Sequence, residues 1–251
     1  MFDIWLWTLL SVVIVSLVSL VWLATFCLQV KKLKTIVIYL ISFAAGALLG
    51  DVFIHLLPEA VEEAGGFVMR ISLGVLGGMV LFFLLEKIIH WRHCHMPIDG
   101  KEHVHAFAYT NLIGDALHNF LDGVIIAGSY LVSVPVGMAT TLAVMLHEIP
   151  QEIGDFSVLI HGGFTRQKAL WLNFLTALSA VVGAALTLVL AERIEGLVSW
   201  LLPLAAGGFI YIASADLIPE LHKDATTKRS LGQILAFIIG IGVMASLLLL
   251  E

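Results

Sequence analysis

The sequence predicts an all-α membrane protein, with eight transmembrane helices in a 3+2+3 inverted-repeat bundle and both termini extracytoplasmic. Three observations carry that reading: a chain too apolar for water, Lys and Arg gathered on one side, and a helical segment that recurs. Of 251 residues, 60% are hydrophobic and 13% charged, with a mean hydropathy of +1.01; soluble domains usually carry about 25% charge. Eight apolar stretches approach or exceed the roughly 20 residues that a bilayer crossing needs. They cover residues 4–28, 35–58, 67–90, 105–131, 136–160, 168–191, 198–220 and 231–250. So little remains between them that residues 1–251 read as one polytopic domain whose surroundings are lipid. The net charge of −6 is divided between opposite rims, and no nucleic-acid partner is expected.

The first stretch starts with Asp3 and has no Lys or Arg ahead of it. Its apolar run is longer than the roughly 7–15 residues of a signal peptide core, so it is expected to be a retained helix. Cys27 and Cys94 lie far apart and offer no disulfide framework. Loop charge sets the orientation. Lys31, Lys32, Lys34, Lys87, Arg92, Lys101, Arg166, Lys168, Lys223, Lys228 and Arg229 fall on one side, and only Arg70 and Arg193 on the other. The positive-inside rule places the larger group in the cytoplasm and both termini outside.

The chain also contains its own alignment. "AAGALLGDVFIHLLPEA" (44–60) matches "AAGGFIYIASADLIPEL" (205–221) at a constant offset, with a shared Pro-Glu ending and His55 aligned on Asp216. One copy should run outward and the other inward, the signature of an inverted-topology repeat. The repeat halves then cover about 1–91 and 168–251, with the pair 105–160 between them.

That central pair carries the polar groups. Asn111, Asp115, His118 and Asp122 follow one another by four, three and four residues and form one stripe on a helix; Asn119 lies beside it. The next helix offers His147, Glu148, Gln151, Glu152 and Asp155 in two adjacent ridges. The short link at 131–135 makes the two helices antiparallel, so His118 and Glu148 should meet at one depth near the midplane. An acid at the centre of a spanning helix costs roughly 2.5–3.5 kcal/mol, a penalty that a bound divalent cation offsets. Pro150 is expected to kink the second helix and to free the Leu146 carbonyl. Imidazole, carboxylate and amide donors suit Zn²⁺, with Fe²⁺, Mn²⁺ and Cd²⁺ compatible. An all-oxygen Mg²⁺ or Ca²⁺ site would not need the histidines.

"HNFLDG" (118–123) followed by "HEIPQEIGDF" (147–156) resembles the ZIP (Zrt/Irt-like) family of divalent metal transporters, in its LIV-1-like branch. The resemblance implies passage of metal, zinc first, into the cytoplasm by alternating access across the cell membrane, with no enzymatic step and no cofactor. It implies a primary site of His118, Asp122, His147 and Gln151, and a second site, where present, of Asn119, Asp122 and Glu148. Gln151 departs from the His or carboxylate of the family, which should weaken the primary site and disfavour a bridged pair of ions. His55 and Glu59 approach the outer mouth; Asp216, Glu220 and His222 approach the inner face, with His161 at the end of the fifth stretch. Asp115, Glu152 and Asp155 read as exit or supporting groups. The inner loop around 92–104 gathers His90, His93, Cys94, His95, His103 and His105, a metal-collecting or merely solvated segment. A homodimer is compatible with all of this.

Two other readings start from the same residues. An intramembrane zinc protease would need a second histidine where Gln151 stands, on an uninterrupted helix, and its aspartate motif would follow the histidine motif. A non-transporting metal receptor would have the site but lacks a signalling module.

Overall fold

The computed structural model describes residues 2–21, 30–94, 102–194, 196–222 and 227–250, and the regular structure among them is entirely helical. Eight helical rods follow in order. α1 is Phe2–Val18, and α2 is Val30–Asp51, prolonged by a π-turn at Val52–Leu56 and a final helical segment, Leu57–Glu63. α3 is Met69–Cys94, α4 Glu102–Val132 and α5 Val134–His161. α6 is Arg166–Ala177 continued by Ser179–Ala191; α7 is Leu197–Tyr211, a π-turn at Ile212–Leu217 and Ile218–His222; α8 is Thr227–Leu247.

Local sequence fixes where these rods start and stop. Ser133 alone separates α4 from α5; its hydroxyl accepts from Val136 N at 3.3 Å, and Pro135 occupies the first turn, where no donor is needed. So short a connection forces the two helices antiparallel. Thr165 caps α6 in the same way through Lys168 N. After α2 the chain turns on Gly65 and Gly66, whose φ angles of 70° and 146° suit glycine alone.

Among the described residues, five helices are long and apolar enough to cross a membrane: Ile36–Glu63, Met69–Lys87, Arg166–Ala191, Leu197–His222 and Arg229–Leu247. α4 and α5, with 31 and 28 residues, have the length, but the acids and histidines of the central pair dilute their hydrophobicity. The chain is therefore a multi-pass, all-α membrane protein. Its exposed faces carry Leu73, Leu76 and Val80 on α3, Trp171 and Leu175 on α6, and Leu231, Leu235 and Ile238 on α8. These are faces that lipid, rather than water, must solvate.

Two of the closest crossings in the bundle are α2 with α8 and α3 with α7. Both rest on glycine. A β-carbon at Gly46 would lie 2.1 Å from the carbonyl oxygen of Phe237, and one at Gly240 would lie 2.2 Å from that of Phe43. In the other crossing, a β-carbon at Gly207 would lie 2.0 Å from the Val75 carbonyl oxygen, and one at Gly78 would lie 2.1 Å from that of Leu204. Only backbones without side chains can approach so closely in a bilayer, where helix association depends on such contacts. The contacts correspond residue by residue: Gly46 with Gly207, Phe43 with Leu204, Val75 with Phe237, Gly78 with Gly240. The two π-turns fall at matching places as well. α4 packs chiefly on α6, and α1 lies against both α5 and α6, where the Ser16 hydroxyl donates to the Ala177 carbonyl at 2.8 Å.

Two local expectations change. α2 starts at Val30, before the expected 35, and runs on to Glu63. Pro150 lies inside a helix that continues through it, so the proline does not end the helix at the polar motif. A single missing donor removes one hydrogen bond, and packing on both sides carries the helix past it. The irregular backbone lies instead in the π-turns of α2 and α7.

Candidate metal centre

α4 and α5 face each other with their polar stripes inward, and four side chains meet. The Nε2 atoms of His118 and His147 are 3.2 Å apart. Asp122 Oδ2 lies 3.7 Å from His118 Nε2 and 3.5 Å from His147 Nε2. Glu148 Oε1 lies 3.5 Å from each histidine. Ligands about 2.0–2.1 Å from a tetrahedral zinc stand about 3.3–3.4 Å from one another. Five of the six edges of such a tetrahedron are thus already present, and all four donor atoms lie within 4.8 Å of one another.

Burial makes this arrangement demanding. Asp122 and His147 are fully buried and Glu148 nearly so, yet both oxygens of Asp122 and Oε1 of Glu148 have no hydrogen-bond partner. A buried acceptor left bare costs about 1–3 kcal/mol, more for a charged group. Two carboxylates balance the charge of one divalent ion, and two neutral imidazoles complete its coordination. His147 is preset for this: its Nδ1–H donates to the Ala143 carbonyl at 3.3 Å, which leaves the lone pair on Nε2 facing the other donors. Two aromatic rings close on the imidazoles. Phe82 from α3 meets His118 edge-on at 5.9 Å, and Phe209 from α7 meets His147 at 6.1 Å.

A cavity of ≈ 310 Å³ reaches the quartet at His118. Its walls include His118, Asn111, Asp115, Gln151, Asp155, Tyr211 and Asp216. Asn111 donates to Asp155 at 2.8 Å and ties α4 to α5 at this level, while the Tyr211 hydroxyl donates to Glu86 between α7 and α3. On the opposite side of the quartet, Ala143 and Val144 of α5 join a buried apolar cluster with Leu48, Val52 and Ile126. Within that seal, fully buried Asp51 accepts from Thr140 at 3.1 Å.

The residues singled out from the sequence are distributed as follows. His118, Asp122, His147 and Glu148 come together. Gln151 lines the cavity one turn inward of His147. Asn119 is buried beside Asp122 with its amide turned toward Asp115. Asp115, Asp155 and Asp216 reach the cavity, whereas Glu152 is buried against α6, where Asn173 donates to it. His55 is buried, with its Nε2–H donated to the Met244 carbonyl of α8 at 3.0 Å. Glu59 is partly exposed on the last segment of α2, and Glu220 and His222 are exposed at the end of α7. His95 lies outside the described residues. The side chains of His90, His93, Cys94, His103, His105 and His161, on the ends of α3, α4 and α5, also lie outside the described set.

The sequence reading passed over Phe82, Glu86, Tyr211, Asp51, Asn173 and Thr176. For Asp51 a signal existed, since an acid inside a spanning helix is costly wherever it stands. The others are ordinary residues of apolar helices until packing brings them to the polar layer.

Comparison with known proteins agrees with the geometry. The sequence pattern of the ZIP zinc transporter family matches residues 2–106 and 92–248. The zinc transporter ZIP13 of Pongo abelii is 39% identical over 220 residues, 82% of this chain and 65% of that protein. Zinc transporter ZIP13 of Danio rerio is 34% identical over 88% of this chain and 76% of its own length. The Drosophila melanogaster ZIP13 homolog is 33% identical over 84% and 77%. Matched along nearly its whole length, the chain belongs to the ZIP zinc transporter family.

Proposed function

We propose that this chain carries divalent metal ions, zinc first, across a membrane by alternating access, binding one ion at a time between α4 and α5. The observation that carries the proposal is the buried quartet His118, Asp122, His147 and Glu148, spaced for a tetrahedral cation and short of donors without one. In this reading Glu148 completes the primary site, and Gln151 serves the wall of the exit path. Zn²⁺ is the cargo; Fe²⁺, Mn²⁺ and Cd²⁺ suit the same nitrogen and oxygen donors less selectively.

The wider arrangement belongs to the same proposal. We place the protein in the cell membrane, alone or as a homodimer; eight spans, a 3+2+3 inverted repeat and extracytoplasmic termini are supported by three features. These are loop charge, the matched glycine crossings and the matched π-turns. With this orientation the cavity opens to the cytoplasm and the apolar seal faces out, as expected of an inward-open state. His118, Gln151, Asp155 and Asp216 then form a graded exit from a four-ligand site to weaker, wetter donors. Outward opening would require the seal of α2 and α5 to part while the cavity between α3, α4 and α7 closes.

The test is Zn²⁺ entry into proteoliposomes holding a zinc-sensitive dye, with Asp122→Ala beside wild type. Uptake by wild type and loss in the variant supports the proposal. Equal rates in both, or none in either for Zn²⁺, Fe²⁺ and Mn²⁺, would overturn it.

A further inference from the structure

A second polar layer lies beside the quartet, on the α6 side. Asn119 is fully buried, and its amide nitrogen donates twice into Asp115, to the carbonyl oxygen at 3.1 Å and to Oδ1 at 2.8 Å. The other carboxylate oxygen of Asp115 accepts from the Thr176 hydroxyl on α6. That hydroxyl also approaches the carbonyls of Leu172 and Asn173. Having a single proton, it is best used on the charged acceptor, which forms the stronger bond.

The clasp has a consequence for Asn119. With both amide hydrogens committed toward Asp115, the amide cannot turn over, and its Oδ1 stays an acceptor. That Oδ1 is buried and has no partner, as is Oδ1 of Asp122 on the same helical face. An amide free to rotate would present either atom, and its nitrogen would repel a cation. Locked, it presents oxygen only.

We infer that Thr176, acting through Asp115, is a positioning residue that fixes the Asn119 amide so that its carbonyl oxygen joins Asp122 in holding the cation. The inference rests on the proposed metal site and assigns α6 a part in it. α6 supplies no member of the quartet. It sets the orientation of one donor by a hydrogen bond across the α4–α6 contact, the most closely packed pair of the central region. A crossing of backbones keeps this distance fixed: a β-carbon at Gly123 would lie 1.9 Å from the Ala180 carbonyl oxygen, and one at Gly183 would lie 2.0 Å from that of Phe120. The clasp therefore stays with α4 and α6 as one rigid unit.

The experiment is a double-mutant cycle read by equilibrium Zn²⁺ binding to the purified full-length protein, with dye-loaded proteoliposome uptake measured in parallel. Thr176→Val removes the hydroxyl at nearly constant volume and is expected to weaken binding about 10-fold, the lower end for loss of a supporting partner. Thr176→Ser restores it. In the Asn119→Ala background, Thr176→Val should cost nothing further, since contacts in one network are not additive. Full additivity, or a Thr176→Val loss that serine does not repair, would overturn the inference and leave Thr176 a packing residue. Thermal unfolding of each variant identifies general destabilisation, which would appear equally in both backgrounds. Zinc binding with the expected non-additivity but without uptake would remove the transport proposal and leave the clasp standing. Uptake with strict additivity would do the reverse, and absence of zinc binding by wild type would remove both.

Discussion

His147 shows how much a single position can be asked to do. Its Nδ1–H is held by the Ala143 carbonyl one turn back, so the ring offers its other nitrogen without a search among rotamers or tautomers. His147→Ala should lower Zn²⁺ affinity by at least about 100-fold, because it removes a ligand and not merely a support. Gln151→Ala, outside the quartet, should change affinity by less than about 3-fold, and equilibrium titration separates the two. Zinc at 100 times its dissociation constant should stabilise wild type by about 2.7 kcal/mol through preferential binding to the folded state. That increment should vanish in His147→Ala, as calorimetric unfolding with and without zinc would reveal. The residue types and their four-residue spacing were legible in the sequence. That Glu148 lies against both histidines was not, because a helix wheel shows which residues share a face and not which side chain reaches across to the neighbour.

At the level of elements, glycine decides which helices pair. Gly46→Leu would push a side chain into the Phe237 carbonyl across the α2–α8 crossing, and Gly207→Leu would do so at Val75 across α3–α7. Either should cost at least about 1–3 kcal/mol, the usual range for overpacking. Gly77→Ala and Gly242→Ala, whose added carbons meet nothing within 4 Å, should be neutral in the same thermal-stability assay. Pro150 supplies the contrasting case. Since α5 runs through it unbroken, Pro150→Ala should leave zinc affinity within about 3-fold of wild type; a larger fall would mean that the Leu146 carbonyl serves the ion after all. The extent of most helices was readable from hydrophobic runs and caps such as Ser133. The π-turns were not, because an extra residue in a turn is chosen by packing, here of the α2 π-turn on α7 and of the α7 π-turn on α2, rather than by local propensity.

For the molecule as a whole, the cavity at His118 together with the proposed orientation predicts access from one side. In a variant free of Cys27 and Cys94, Asn111→Cys and Asp216→Cys should react with a membrane-impermeant thiol reagent from the cytoplasmic side alone. Asp51→Cys, fully buried in the seal, should react from neither side in this state. Labelling of Asn111→Cys from outside would reverse the proposed orientation. In the proposed alternating-access reading, paired crossings of the same design, α2 with α8 and α3 with α7, flank the α4–α5 centre.

By itself, the sequence determined the medium, the helical class, the central pair of polar helices and the family, because these follow from hydropathy, charge placement and fixed motif spacing along one chain. The tertiary structure decided which buried donors stand together, which of them a cavity reaches, the glycine crossings and the contact of α6 with Asp115. Each of these depends on distances between atoms far apart in sequence. Asn119 with Asp115 and Thr176, or Phe82 and Phe209 over the imidazoles, become neighbours only when packing brings their helices together.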